Sequence, residues 1–374
     1  MKYLLTAGIS QGLLLFLVLA YKSADKQNNA WLIGLFVLAI TGIISGAPLN
    51  EVWGAPRGSI LADPLILLIG PSFYLYILSF TRKVKGRSLL LHGLPFLLYL
   101  PVLAVFYLRT VEPGLSQPNL QAAYTSAFAL SISTLKFLHL FVYVYLSFTA
   151  LQRHEEKIKR VFADLSGKDL AWLWFMLWAF VLLTVVSLVL YVVALNYPNF
   201  QNQLTLMNLS LLSAYILALS FYAFHQHTLF DYVAVGAEAE ALTEVAEEEE
   251  GPRYEKSGMK PEEAAEISEK IAAFIRKGGH TDPNVTLGAM AKAIGTPPHK
   301  VSEVLSKYLN TSFYDLINKH RVEGIKKAIP DPANAHLTIL AIAYEFGYNS
   351  KSTFNTAFRK FTGTTPSAFR KRTE

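Results

Sequence analysis

Apolar residues fill the first two thirds of the chain in long runs, whereas the last third alternates apolar and polar positions at helical intervals. Seven of the runs reach about twenty residues, the length of helix that crosses ~30 Å of hydrocarbon. They cover 3–21, 30–49, 60–80, 88–108, 124–151, 170–195 and 204–224, separated by short segments such as Gly54-Ala55-Pro56 and Tyr197-Pro198-Asn199. From residue 261 the period becomes that of amphipathic helices: Ile267, Ile271, Phe274 and Ile275 share one face of a helix over 262–277, which Gly278 and Gly279 end. The pattern predicts an all-α chain, with a polytopic seven-helix transmembrane bundle over 1–228 and a soluble helical domain over 261–374.

Charge orients the bundle. Alternate loops hold Lys22 and Lys26, then Arg82, Lys83, Lys85 and Arg87, then Arg153, Lys157, Lys159, Arg160 and Lys168. The opposite loops hold only Arg57 and Arg109, with Lys2 at the terminus. By the positive-inside rule the first set is cytoplasmic, which puts the N-terminus outside and the C-terminal domain in the cytoplasm. A cleaved signal peptide at the first run would invert every later loop, and no small-x-small site precedes Lys22.

A few polar residues fall inside the runs. Lys136 lies near the middle of the fifth, where a charge is costly and is normally paired or faces a cavity. Asp63, in the third run, is its candidate partner, and His139 lies one turn along from Lys136 on the same helix face. Two readings stay open for this group: an intramembrane sensing or proton site, or a structural pair. His92, His225 and His227 read as interfacial histidines, so no metal site is assigned. The Gly42-to-Gly46 spacing is a candidate helix-packing face and weak support for a homodimer. Trp172, Trp174 and Trp178 fit interface anchoring.

Residues 229–260 change character. Glu238, Glu240, Glu244 and 247–250 make an acidic stretch, read as a solvated, flexible linker, with competition against DNA for the basic domain as the alternative.

Beyond it, two short-helix, glycine-turn, second-helix arrangements follow one another, which is the helix-turn-helix pattern. The first runs through 286–295 and on to Leu309; the second, after a longer helix over 312–329, runs through 338–347 and 350–361. Phe354, Phe358 and Phe361 fall on one side of the last helix as core, and Lys351, Asn355 and Arg359 on the other as a polar stripe. The corresponding face of the first arrangement carries His299, Lys300, Ser302, Glu303 and Ser306. Ser350, Ser352, Lys351, Asn355 and Arg359 with these five are the candidate DNA-binding residues, because hydroxyls and amides suit base edges and Lys or Arg suits guanine or phosphate. Basic residues from Lys292 to Arg372 outnumber the acidic ones, which favours a polyanionic partner.

These residues resemble the AraC/XylS family of transcriptional regulators. The resemblance lies in 343–354, Ala-Tyr-Glu-Phe-Gly-Tyr-Asn-Ser-Lys-Ser-Thr-Phe, then in 358–366 and in Phe369-Arg370, with Leu287, Ala291, Ser302, Phe313 and Arg321 fitting the first arrangement. It covers about the last ninety residues. Tyr348 and Phe369 exchange Phe and Tyr relative to the usual pattern, and Asn310 stands where glycine is common, a position asparagine tolerates with a left-handed backbone. The resemblance implies two recognition helices in successive major-groove segments of double-stranded DNA; it does not reach the bundle, whose pairing with such a domain points to a bacterial regulator held in the cytoplasmic membrane, with RNA polymerase among its candidate partners.

The chain has 374 residues and no cysteine, which excludes disulfides and thiolate chemistry. It has no Gly-x-Ser-x-Gly, His-Glu-x-x-His or phosphate-cradling glycine loop, so no catalytic residues and no cofactor are expected. The leading expectation is a membrane-tethered, sequence-specific transcription regulator responsive through its bundle to an unknown small-molecule or protein signal. The alternative is a carrier with an accessory DNA-binding domain, against which stands the lack of an internal repeat.

Overall fold

The computed structural model describes residues 2–23, 29–53, 57–80, 84–110, 126–165, 171–225 and 259–373. The acidic linker and His227 lie outside them, as does the side chain of His225. Among the described residues all regular structure is helical, and seven helical segments are long and apolar enough to cross a membrane. The described residues divide into two compact units: those through Gln152 with 171–225, and 153–165 with 259–373.

In the apolar unit, α1 (Lys2–Ser23) packs along α2 (Ala30–Trp53), which also meets α3 (Arg57–Ala62) and α4 (Ile66–Leu78). α5 (Gly86–Thr110), α6 (Ala127–Val161), α7 (Ala171–Asn196) and α8 (Gln201–His225) follow, α8 packing on α1, α2 and α7. α2 is the central element: Leu32, Phe36, Val37, Ile40 and Ile44 are buried, and Phe36 stacks with Phe73 and Phe180 at 5.2 and 5.7 Å between ring centres. Gly42 and Gly46 do form a packing face, but it is filled within the chain. A side chain on Gly42 would run into Leu65, and one on Gly46 would meet the backbone of Ser59 and Gly58. That face therefore offers no surface to a second copy. α5 and α6 instead leave Leu91, Leu94, Leu98, Leu135, Leu138 and Val142 exposed, as suits a lipid solvent.

Two departures from the sequence pattern concern function. The third span is not one α-helix: a 3-10 turn, Asp63–Leu65, separates α3 from α4. Pro64 has no N–H to give an α-helical ladder, and the tightened turn sets Asp63 at the junction. The fifth helix also runs ten residues past the expected end at Leu151, to Val161, and its final turns belong to the second unit. At 1.5 Å per residue its 35 residues span about 52 Å, well beyond the hydrocarbon thickness.

In the second unit, α9 (Pro261–Arg276), α10 (Leu287–Ala293) and α11 (Pro298–Glu303) precede the connecting helix α12 (Phe313–Ala328), then α13 (Ile339–Glu345), α14 (Lys351–Thr362) and α15 (Pro366–Thr373). α11 continues as a π-helical turn, Val304–Tyr308. There are two cores rather than one. Ile267, Ile271, Leu287, Met290, Val301, Val304, Phe313 and Ile317 make the first; Val322, Ile325, Ile342, Tyr348, Phe354 and Phe358 make the second. α12 contributes its start to one and its end to the other.

Candidate functional site

The two helix-turn-helix motifs are built alike, residue by residue. Thr286 and Thr338 are extended N-caps whose hydroxyls accept from the N–H three residues on, each at 3.1 Å. α10 and α13 end alike, with the N–H of Thr296 and of Tyr348 donating to the carbonyls of Ala291 and Ala343. The glycine between, Gly295 or Gly347, is left-handed at φ +62° or +89°. Asn310 takes φ +46°, the left-handed conformation anticipated for it.

α14 divides cleanly by face. Thr353, Phe354, Ala357 and Phe358 are buried, while Lys351, Ser352, Asn355 and Arg359 are exposed. No side-chain hydrogen bond or ion pair engages those four among the described residues, so α14 presents two cations, an amide and a hydroxyl to solvent along one side. Phe361, expected in the core, is partly buried against it. Ser350 has a different place: it is the N-cap, accepting from the Thr353 N–H at 3.1 Å and donating to the Thr353 hydroxyl at 3.0 Å.

The first motif's candidates are less open. Lys300 is paired with Glu263 at 2.6 Å and Glu303 with Lys307 at 3.0 Å. His299 and Ser302 are half-buried and Ser306 is exposed. Ser302 and Ser306 line a cavity of about 250 Å³ whose wall includes Arg160, from the end of α6, together with Asn310 and Asp315. The π-helical turn that carries Ser306 was not foreseeable from the sequence, because Val304, Leu305 and Tyr308 fit an ordinary helix equally well.

Arg321, which a net-charge count credits to the DNA-facing surface, is completely buried in α12. Its Nε donates to the His280 carbonyl and its Nη2 to the Asp282 carbonyl, each at 2.7 Å, and the guanidinium lies 5.4 Å from the Tyr348 ring centre. Burial pulls its pKa down, against which Tyr348, Asp164 and Asp282 act. Burial likewise holds His280 and His320 below the usual histidine value; their rings lie 6.0 Å apart, and each is further lowered by neighbouring positive groups.

In the apolar unit the structure brings Lys136 and Asp63 together. Lys136 Nζ donates to Asp63 Oδ2 at 2.5 Å, and the Tyr99 hydroxyl donates to the same oxygen at 2.7 Å. Lys136 also donates to Tyr99 at 3.1 Å and lies 4.5 Å from its ring centre. The three line a cavity of about 210 Å³ with Ser59, Phe128 and Ser133. Tyr99 went unmarked in the sequence because tyrosines are common in these spans. His139 is not part of the group: its ring lies 4.8 Å from that of Tyr143, and it does not line the cavity. A spacing of three residues keeps it near the face of Lys136, but Tyr143 takes its ring. His92 shares a 2.7 Å hydrogen bond with Tyr143.

Residues 290–372 match the family model described as a helix-turn-helix domain, of the AraC type. The match takes in both recognition helices and the connecting helix, and it marks this part of the chain as that of a DNA-binding transcription regulator. No curated protein and no solved structure matches the chain significantly.

Proposed function

We propose that the protein is a membrane-tethered, sequence-specific transcription regulator of a bacterial cytoplasmic membrane, with its C-terminal domain in the cytoplasm and its bundle as the signal-receiving part. The observation that carries this reading is the pairing, on one chain, of seven helices able to cross a membrane with two helix-turn-helix motifs, one of which presents Lys351, Ser352, Asn355 and Arg359 along one exposed helix face. Bases and phosphates in a major groove ask for these groups: an amide can pair with adenine, and a guanidinium can grip guanine or phosphate. Ser350 orients the helix that carries them. His299, Lys300, Ser302, Glu303 and Ser306 meet the adjacent groove segment, Lys300 and Glu303 exchanging their present ion pairs for DNA. The Lys300–Glu263 pair is exposed, and a pair of that kind is worth only about 0–1 kcal/mol, so its exchange is cheap.

Lys136, Asp63 and Tyr99 are the signal site in this reading. They are the ion-paired group in the spans that also lines a cavity among the described residues, and the cavity can admit a small molecule.

Footprinting of the full-length protein, in nanodiscs, on DNA recovered by random-sequence selection tests the DNA reading. Protection over two successive helical turns, weakened steeply by salt, is expected. Selection that recovers no site would refute it and favour a carrier. For the signal site, Lys136→Met is expected to change reporter output while leaving expression level and DNA affinity unaltered; a reporter response identical to wild type makes the pair structural.

A further inference from the structure

The segment between the fifth and sixth spans is built into the DNA-binding unit. Residues 153–165 join that unit, and Ile158, Val161 and Phe162 form a small buried cluster of their own there, with Leu165 packed against it. These four recur at helical spacing, with Glu156 and Lys157 before them and Lys159 and Arg160 between the first two. The contacts that follow are specific. Phe162 makes an antiparallel backbone bridge with Thr286, the N-cap of α10. Ala163 is fully buried in the first core, and its carbonyl accepts from Nδ2 of Asn318, itself fully buried on α12, at 2.8 Å. Asp164 is buried, and its Oδ1 accepts from the hydroxyl of Thr353 at 3.1 Å. Thr353 belongs to α14, the second recognition helix.

Three consecutive residues therefore touch the first motif, the connecting helix and the second motif in turn. Apart from α12 and the Arg321 network, the two cores are separate clusters, so this segment is a further tie between them. Its placement leaves DNA reading unobstructed in the second motif: Thr353 turns inward to Asp164 while Lys351, Ser352, Asn355 and Arg359 stay exposed. In the first motif it adds a cation, since exposed Arg160 lines the cavity shared with Ser302 and Ser306.

We propose that the interspan segment 158–165 is a docking element of the DNA-binding domain, which fixes the two helix-turn-helix motifs relative to one another in a DNA-competent arrangement. The occupant of the site made by Thr286, Asn318 and Thr353 is the stretch of this chain that follows its own fifth helix. Half of a two-part DNA site can be bound by one motif in any arrangement; both halves together require the spacing that the docked segment holds. The consequence for DNA rests on the regulator reading above, whereas the docking itself does not.

The chain contains no cysteine, so a pair can be introduced without competing thiols. In full-length protein in native membranes, Asp164→Cys with Thr353→Cys is oxidised with copper phenanthroline, and a protease site placed in 229–260 is then cut. The two fragments are expected to stay joined until reduced, and to separate in either single variant; fragments that separate in the double variant overturn the docking. In parallel, Asp164→Ala and Asp164→Asn in nanodiscs are titrated with a two-part site and with each half alone. Asp164→Ala is expected to bind the two-part site about tenfold more weakly, the scale of one hydrogen bond to a charged group, with half-site affinity within about twofold of wild type, and Asp164→Asn to recover much of the loss. Unchanged or tighter two-part binding by Asp164→Ala overturns the DNA-competent role. Wild-type protein that binds no DNA defeats the regulator reading, and with it that role, while the crosslink still decides the docking.

Discussion

Gly295 and Gly347 hold equivalent turns at similar positive φ, yet replacing them by alanine should have unequal effects. At Gly295 an added Cβ has open space around it, so Gly295→Ala costs only the left-handed backbone, about 1 kcal/mol. At Gly347 the same Cβ would meet the carbonyl oxygen of Thr281 well inside van der Waals contact, and Arg321 Nη2 at 3.1 Å. Backbone cannot swing aside like a side chain. Relief requires residues 280–282 to move, and the carbonyls of His280 and Asp282 are the two acceptors of buried Arg321. Losing one hydrogen bond to that guanidinium adds about 1.5–3 kcal/mol. Gly347→Ala should therefore cost about 2.5–4 kcal/mol, a large share of the ~5–15 kcal/mol that holds a typical domain together. At about 4–8 °C per kcal/mol for a small domain, Gly295→Ala should lower the melting temperature by ~5 °C and Gly347→Ala by ~15 °C. Thermal proteolysis of the full chain in nanodiscs, following a C-terminal tag, reads both. Equal losses would refute the assignment of the difference to Thr281 and Arg321, and so would a Gly347→Ala protein within 1 kcal/mol of wild type.

Arg359→Ala should weaken binding to the selected site by about 1–3 kcal/mol with relaxed preference at one base pair, measured by competition among single-base variants of the site; unchanged affinity removes Arg359 from the interface. Ser350→Ala should cost about 1 kcal/mol of stability, because the Thr353 N–H loses its acceptor. Ser350→Asp should restore the cap yet bind DNA more weakly, since its carboxylate stands at the end of α14 that approaches phosphate; equal affinity for Ser350→Asp and wild type would contradict that approach. His280 and His320 have lowered pKa values when folded, so below about pH 6.5 the unfolded chain takes up protons that the folded one refuses. Stability of the C-terminal unit should thus be complete above pH 6.5 and fall as the pH drops through the lowered values. Urea titrations between pH 5 and 8 check this, and a midpoint that does not fall on acidification refutes it.

The seven long apolar helices were legible because each is an unbroken apolar run of about twenty residues, and α14 because Phe354 and Phe358 alternate with Lys351, Asn355 and Arg359 at a period no strand could share. The Lys136–Asp63 pair was legible for a related reason: a charge inside a long apolar run has few ways to be tolerated, and one carboxylate lay within the neighbouring runs. Other features left no trace in pattern. Lys300 and Glu303 have the composition of a reading face, but their pairing depends on Glu263 and Lys307, which tertiary contact and helix register supply. Past Leu151 the fifth helix reads as a charged loop, because hydropathy averages over Ile158, Val161 and Phe162 together with the Lys, Arg and Glu residues around them. Ala163 and Asp164 are ordinary loop residues until Asn318 and Thr353 are seen to bind them. Asn318 and Arg321 share α12, and both have buried polar groups satisfied by backbone carbonyls far away in sequence, a kind of partner that no side-chain pattern announces.

The chain enters the DNA-binding unit twice, at 153–165 and again by 259, each time after a helix long and apolar enough to cross a membrane. A domain hung on one tether tumbles; one held at two points has lost rotational freedom before any DNA arrives, and that entropy is not charged again on binding. Held in a membrane as proposed, such a regulator could not scan the chromosome by free diffusion, and the locus would have to come to it. Occupancy of an operator would then follow how often its stretch of chromosome visits the membrane, and moving the operator to a distant locus would change expression while leaving the dissociation constant untouched.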